Sequence, residues 1–446
     1  LTDVSVDVPM PELPELPEQP EFDDIRPYHD DEVDQVLAGL LENQEFLDFL
    51  ARFRLKRLAA VWPWLGRALV RLVLRRQFRR IHSVRDFQRV VASYAKQLVA
   101  ETTTGFVYEG LAQLDPQQAY LFMGNHRDIA GDSMLLDYAL YLTGRETVQI
   151  AVGDNLVQRQ FATDLMKLNK SFLIRRSQSG AKKIYAALLE SSRYIHAAIR
   201  SGNSVWIAQS EGRAKDGIDL TDPALVKMLA LAERKQELHR TIADLHVVPV
   251  AIAYEYDPCD MMKARELHGI AVDGSYQKAA GEDLLSLVKG LGEFKGKVTL
   301  RFGRPLNQHF EIAEQVAAEI DRQVLDGLQL YQINYWALAQ LAALAKGLLA
   351  PPPEELSAAH AEKPLPPLPE PRSAPAAAQQ AANSAELAHY LFVWQQVGHL
   401  ANLDSETILT ERFEACPAAY QLQWLQMYAN PVVNKFNHGA ENLAPL

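Results

Sequence analysis

The stretch Gly124-Asn125-His126-Arg127-Asp128-Ile129-Ala130-Gly131-Asp132 sets one histidine beside two carboxylates. An imidazole is half-ionised near neutral pH. A carboxylate on one ring nitrogen fixes the tautomer and stabilises the imidazolium formed when the other nitrogen takes a proton from a hydroxyl. His126 is therefore a candidate general base, with Asp132 or Asp128 as its partner. The motif follows the apolar run Tyr120-Leu121-Phe122-Met123, which reads as a short strand. Enzymes built on α/β sheets carry their ligand sites at the carboxyl ends of such strands.

Three later segments repeat the pattern of a β-type run ending in polar or charged groups. Ser171-Phe172-Leu173-Ile174 runs into Arg175 and Arg176. Val205-Trp206-Ile207-Ala208 runs into Gln209-Ser210-Glu211-Gly212-Arg213-Ala214-Lys215-Asp216-Gly217. Val247 to Tyr254 is apolar throughout, with Pro249 near its start. Taken singly, each reads as a core strand with a solvated turn.

In this order the four segments resemble the four sequence blocks of the glycerolipid acyltransferases. That superfamily comprises the glycerol-3-phosphate and 1-acyl-glycerol-3-phosphate (lysophosphatidic acid) O-acyltransferases of bacterial-type phospholipid synthesis. Its first block reads Asn-His, four residues, Asp; its second ends in arginine; its third reads Phe-Pro-Glu-Gly-Thr-Arg or similar; its fourth is an apolar strand with a proline. Two departures stand out. Five residues separate His126 from Asp132, so the partner is Asp132 with a one-residue insertion, which is favoured, or Asp128 in its place. Ser210 replaces the proline before Glu211-Gly212, so the turn loses the fixed φ that proline would impose.

The resemblance implies transfer of a fatty acyl group from acyl-CoA or acyl-carrier protein to a hydroxyl of glycerol 3-phosphate or lysophosphatidic acid. A general base contributes roughly 10²–10⁴ in rate to such a step. His126 takes that role, and Arg213 leads as ligand of the acceptor phosphate, because a guanidinium makes two parallel bonds to one phosphate. Arg175, Arg176 and Lys215 support it, and Lys182 ranks lower. Gly212 lets the backbone approach the ligand, and Glu211 orients the turn. Surface salt bridging is the plain structural alternative for each cation. No cofactor beyond the thioester co-substrate and no metal are expected.

The fold class expected is α/β: a mixed, mainly parallel central sheet flanked by helices, with helical N- and C-terminal extensions. At 446 residues with 48% hydrophobic content, the chain can bury a large core. Two cysteines point to a reducing compartment or to no disulfide framework. Neither Cys259 nor Cys416 is positioned as a nucleophile. No run of 18 apolar residues occurs, and Tyr335 to Ala350 reads as a core helix.

The net charge of −11 is segregated along the chain. Residues 1–48 carry fifteen acids and one arginine, with Pro-Glu-Leu repeats from Pro11, and read as an acidic disordered or extended tail. Residues 49–82 hold ten Lys or Arg and no acid, interleaved with Phe53, Trp62, Trp64, Leu65, Leu69, Leu72 and Val73. This reads as a basic amphipathic element docking on an anionic membrane, each cation near such a surface contributing about 1 kcal/mol. Packing on the catalytic domain, with the arginines paired to the acidic tail, is the alternative; nucleic acid is not expected. Pro63 should split the element, and Leu65, Leu69, Leu72 and Val73 should share a face.

Residues 83–350 read as the catalytic domain. Within it a crossover helix is expected over 180–200, a helix start at Thr221-Asp222-Pro223, a strand at Val298–Gly303 and two helices over 312–350. Residues 351–384, rich in proline and alanine, read as a linker. Residues 385–446 read as a C-terminal helical segment packing on the catalytic domain, with a helix ending at Tyr428-Ala429-Asn430-Pro431. The expected location is cytoplasmic, peripheral at the cytoplasmic membrane face. His126-Arg127-Asp128 also matches a kinase catalytic loop, but Ser133 stands where asparagine is required and no Asp-Phe-Gly occurs. A metal hydrolase lacks its second histidine cluster. The rival reading is a catalytically weak membrane-associated scaffold or binding protein on an acyltransferase domain.

Overall fold

The computed structural model describes residues 20–154, 159–279, 281–348, 384–401, 406–439 and Leu443. The linker read over 351–384 lies outside these residues except for Ser384, as do residues 1–19 of the acidic tail.

Among the described residues seven strands form one sheet: β1 Thr103–Glu109, β2 Leu121–Gly124, β3 Gln149–Gly153, β4 Ser171–Ile174, β5 Val205–Ala208, β6 Val247–Tyr254 and β7 Gly296–Phe302. Their order is β1-β7-β6-β2-β5-β3-β4, and every pair is parallel except β6–β7. The fold is thus mixed and mainly parallel, as expected. β2 sits between β6 and β5 with Leu121 level with both Val247 and Val205, which brings the carboxyl ends of three motif strands side by side. The central strands are apolar on both faces because both faces are covered. Leu121, Met123, Val205 and Ile207 point to one side, with Tyr194, Ile195, Val226 and Ile320. Phe122, Trp206 and Val248 point to the other, with Leu135, Leu136 and Ala139.

The described residues before the sheet hold helices α1 Asp30–Glu42, α2 Gln44–Arg54, α3 Lys56–Val61, α4 Pro63–Phe78 and α5 Val84–Thr102. The reading of residues 1–48 as an extended tail is corrected from Pro20 onward. Val33, Leu37, Leu40 and Phe46 recur at helical spacing and are buried against Ile81, Val84, Phe87 and Phe161. The Asn43 side chain caps α2 by accepting from Phe46 N–H at 2.9 Å. Ahead of α1, residues 20–28 run along the edge strand β4, where Leu173 N–H donates to Ile25 carbonyl at 2.9 Å. Phe22 is buried edge-on against Tyr194, its ring centroid 5.2 Å away. Burial of one phenylalanine is worth about 1.5–3 kcal/mol, and the acids beside it pair with Arg26, Arg175 and Arg193.

Helices α6 Gly131–Leu142, α7 Gln160–Leu168, α8 Ala181–Arg200, α9 Pro223–Leu229 and α10 Leu238–Asp244 connect the strands up to β6. Helix α8 is the crossover expected behind the second block, and α9 starts where Asp222 caps Ala224 N–H at 2.8 Å with Pro223 in its first turn. Next come α11 Asp260–Asp273, α12 Glu282–Gly292, α13 Ala313–Gly327 and α14 Gln332–Leu348. Three last helices, α15 Ser384–Val397, α16 Glu406–Ala415 and α17 Gln421–Asn437, bury Tyr390, Trp394, Phe413, Trp424 and Tyr428 against Trp336 and its neighbours on α14. Phe392 stays outside this core, 43% exposed. Contrary to expectation, α17 does not end before Pro431 but continues to Asn437, because only the bond to Met427 is lost there and packing on both sides holds the helix. Among the described residues no helix is long and apolar enough to cross a membrane.

Candidate active site

β2 ends at Gly124, and the next residue, Asn125, stitches the strand end to β6. Its side-chain amide donates to Ile252 carbonyl at 3.0 Å, and its Oδ1 accepts from Ile252 N–H at 2.7 Å. This fixes where His126 leaves the sheet. His126 Nδ1 lies 2.8 Å from Asp132 Oδ2, and Asp132 is buried. The same oxygen accepts from the backbone N–H groups of Arg127 at 2.6 Å and Asp128 at 2.9 Å. Asp132 Oδ1 accepts from Tyr254 Oη at 2.8 Å. Burial opposes the charge of Asp132, yet the bonds from His126, Asp128 N–H and Tyr254 together hold its carboxyl below the usual range. An ionised Asp132 accepting from Nδ1–H leaves Nε2 with the lone pair that a base needs.

Asp128, the alternative partner, does not reach His126 with a hydrogen bond. Its Oδ1 accepts from Ala130 N–H at 3.1 Å and Gly131 N–H at 2.7 Å, closing the turn that starts α6. Burial and the neighbouring Asp132 push its carboxyl up. The inserted residue is absorbed in this turn: the chain wraps around the Asp132 carboxylate, and Asp128 stitches the wrap shut. Gly131 is required there, since a Cβ would lie 2.9 Å from Asp128 Oδ1 and 3.0 Å from Tyr254 Oη.

The third-block turn lies alongside. Gln209 N–H donates to Gly124 carbonyl and Ala214 N–H to His126 carbonyl, both at 2.8 Å. Arg213 donates through Nη1 to Ser286 Oγ on α12 at 2.6 Å. Lys215 pairs with Glu266 on α11 at 2.9 Å. Gly212 has φ +77 with open space where a side chain would be, so a ligand can approach its backbone. Glu211 is exposed and stands 3.8 Å from Arg176, while Arg176 N–H donates to Asp154 at 3.0 Å. Arg175 is turned elsewhere: it pairs with Asp24 at 3.0 Å and Glu190 at 3.5 Å, a strut between the second block and the N-terminal segment. Lys182 is exposed in the first turn of α8. Burial pushes the Cys259 thiol up to about 11, and Cys416 up to about 12. Both remain thiols at neutral pH.

Four residues without an expected role complete the arrangement. Asn125 and Arg127 belong to the motif itself, and Tyr254 ends the fourth block. Arg127 makes a buried ion pair with Asp219 of the third-block loop, and its carbonyl accepts from Lys263 Nζ at 2.7 Å. Ser286 has no local signal in the sequence.

The sequence model of the family described as Acyltransferase matches residues 105–253, from β1 through nearly all of β6, which includes His126, Asp132 and Arg213 but stops short of Tyr254, Lys263 and Ser286. That match takes in about a third of the chain and includes the turns bearing His126 and Arg213. Similar acyltransferases include the dihydroxyacetone phosphate acyltransferase of Mus musculus, 23% identical over 231 residues, covering 51% of this chain and 32% of that one. The Homo sapiens dihydroxyacetone phosphate acyltransferase is 23% identical over 202 residues, covering 45% and 28%. The chain thus spans about a third of the length of the curated relatives it matches. A crystal structure of the 1-acyl-sn-glycerophosphate acyltransferase from Thermotoga maritima aligns with 63% of this chain and 95% of its own, at 14% identity and a TM-score of 0.33.

Proposed function

We propose that this chain transfers a fatty acyl group from a thioester donor, acyl-CoA or acyl-carrier protein, to a hydroxyl of a phosphate-bearing glycerol or its monoacyl form. The observation that carries this is the buried Asp132 carboxylate on His126 Nδ1, at the carboxyl end of a strand and bonded to the turn bearing Arg213. His126 Nε2 takes the hydroxyl proton as the oxygen attacks the thioester carbonyl. The C–O bond forms, the C–S bond breaks, and the imidazolium returns the proton to the leaving thiolate. Asp132 stabilises the transient cation, and no covalent acyl-enzyme is needed. Arg213, Lys215 and Arg176 hold the acceptor phosphate, displacing the Ser286, Glu266 and Glu211 contacts.

The test incubates the protein with radiolabelled palmitoyl-CoA and, separately, glycerol 3-phosphate, lysophosphatidate and dihydroxyacetone phosphate. Labelled product with at least one acceptor, lost in His126→Ala, is expected. Transfer to none of them, or transfer that survives in His126→Ala, overturns the reading.

The same proposal places the protein peripherally on a membrane, at its cytoplasmic face. Helix α4 has two unlike sides. One is turned inward through Gly66 and Val70, with Arg67 paired to Asp48 at 3.1 Å and Arg71 to Glu42 at 3.5 Å. The other exposes Leu69 (40%), Leu72 (66%) and Val73 (64%), with Trp62 (54%) just ahead of the helix, near exposed Arg75, Arg76, Arg79 and Arg80. Both sequence readings therefore find support: the acids of α1 and α2 take two arginines, and an apolar strip rimmed by others is left outward. Such a strip fits an anionic lipid surface. Binding to phosphatidylglycerol vesicles is expected, weaker at high salt and absent with phosphatidylcholine alone. The double variant Trp62→Ala/Leu72→Ala should partition about tenfold or more weakly with an unchanged circular dichroism spectrum. Salt-insensitive or absent binding in a flotation assay would remove the lipid surface from the proposal.

A further inference from the structure

The segment Arg213–Gly217 carries two of the cations assigned to the acceptor phosphate, and it is tied down at both ends. At one end Ala214 N–H donates to the His126 carbonyl. At the other, the side-chain amide of Asn430 on α17 donates to the Asp216 carbonyl at 2.7 Å. Asn430 is itself oriented: its Oδ1 accepts from Tyr390 Oη of α15 at 2.7 Å, so the donor end of the amide is the one that faces Asp216. The next residue, Gly217, has φ +81 and is seated against α17 so closely that a Cβ would lie 2.3 Å from Met427 carbonyl oxygen and 2.8 Å from Pro431 Cδ. That carbonyl is the one a regular helix would bond to the N–H of residue 431, and proline has none. Pro431 thus makes the notch that receives Gly217, and Asn430, one residue before it, holds Asp216.

We propose that α17, which lies outside the matched acyltransferase region, positions the acceptor phosphate. Asn430 and the notch at Pro431 fix the backbone of Asp216 and Gly217, which sets how Arg213 and Lys215 converge on the phosphate at a fixed offset from His126. Asn430 is a positioning residue: it acts on the acceptor through the loop and leaves the proton transfer at His126 alone. The proposal rests on the assignment of Arg213 as a phosphate ligand, so its test carries a control for that assignment.

Steady-state kinetics with palmitoyl-CoA and glycerol 3-phosphate, repeated with lysophosphatidate, are compared for the wild type, Asn430→Ala, Tyr390→Phe and Arg213→Ala. Asn430→Ala is expected to raise acceptor KM roughly tenfold, keep kcat within about twofold and leave the palmitoyl-CoA KM unchanged. Tyr390→Phe should move acceptor KM in the same direction by a smaller factor. A purely structural role would give another pattern: a lower unfolding midpoint and a kcat reduced with the active fraction, at constant acceptor KM. That pattern, or an unchanged acceptor KM in Asn430→Ala while Arg213→Ala raises it, overturns the proposal. An acceptor KM unmoved by Arg213→Ala instead overturns the phosphate assignment beneath it.

Discussion

His126→Ala and Asp132→Asn are each expected to lower turnover by roughly 10²–10⁴, the range a positioned general base supplies. The two losses should not multiply in the double variant, because the residues act as one unit joined by the 2.8 Å contact. Asn at position 132 offers one carbonyl oxygen where the carboxylate now accepts from His126, two backbone N–H groups and Tyr254. It also removes the charge that stabilises an imidazolium. Asp128→Asn is the informative contrast. Its partners are Ala130 and Gly131 N–H, so the expected cost is that of a weakened helix start, about 1 kcal/mol of stability, with turnover within a fewfold of wild type. Rates for the three single variants, read beside urea unfolding midpoints, separate base from cap. A rate loss in Asp128→Asn as large as that in Asp132→Asn would reverse the assignment of the partner.

The largest loss of stability is expected at Arg127–Asp219. Both side chains are nearly excluded from solvent, at 12% and 1% exposure. Removing one partner strands the other charge in a medium that cannot solvate it, at a cost of about 3–5 kcal/mol. Arg127→Met and Asp219→Leu should each show that loss in urea unfolding. The double variant should recover much of it, since an apolar pair leaves no stranded charge. A single-variant loss below about 1 kcal/mol would mean that water reaches the pair, contrary to its burial.

Much of the core was legible because burial on both faces writes itself as unbroken apolar runs. Tyr120–Met123, Val205–Ala208 and Val247–Tyr254 are such runs, and each became a strand with its polar residues just beyond its end. The order of charged turns singled out His126, Glu211, Gly212 and Arg213, which lie on two turns joined by the Ala214–His126 backbone bond. Composition misled where a strong local signal sat next to a weak periodic one. The proline-glutamate repeat at Pro11 masked the helical spacing of Val33, Leu37 and Leu40. Pro431 was read as a stop because the local rule cannot see that Gly217 fills the place where the helical ladder opens. Partners far apart in sequence were likewise out of reach. Nothing near Arg175 announces Asp24, and nothing near Asp132 announces Tyr254.

The Arg175–Asp24 strut joins residues 151 positions apart, and the same N-terminal segment lays its backbone on β4 through Ile25. During synthesis Phe22 and Ile25 emerge early yet have no surface to join until β4 and Tyr194 have been made. Residues 20–28 can therefore dock only once β4 and Tyr194 are in place. Until then the outer edge of β4 stands open to any passing strand. The acids on residues 21–24 thus serve the docked state: Glu21 meets Arg193 and Asp24 meets Arg175, so the charge that resembles a disordered tail is what fastens this segment over the edge of β4.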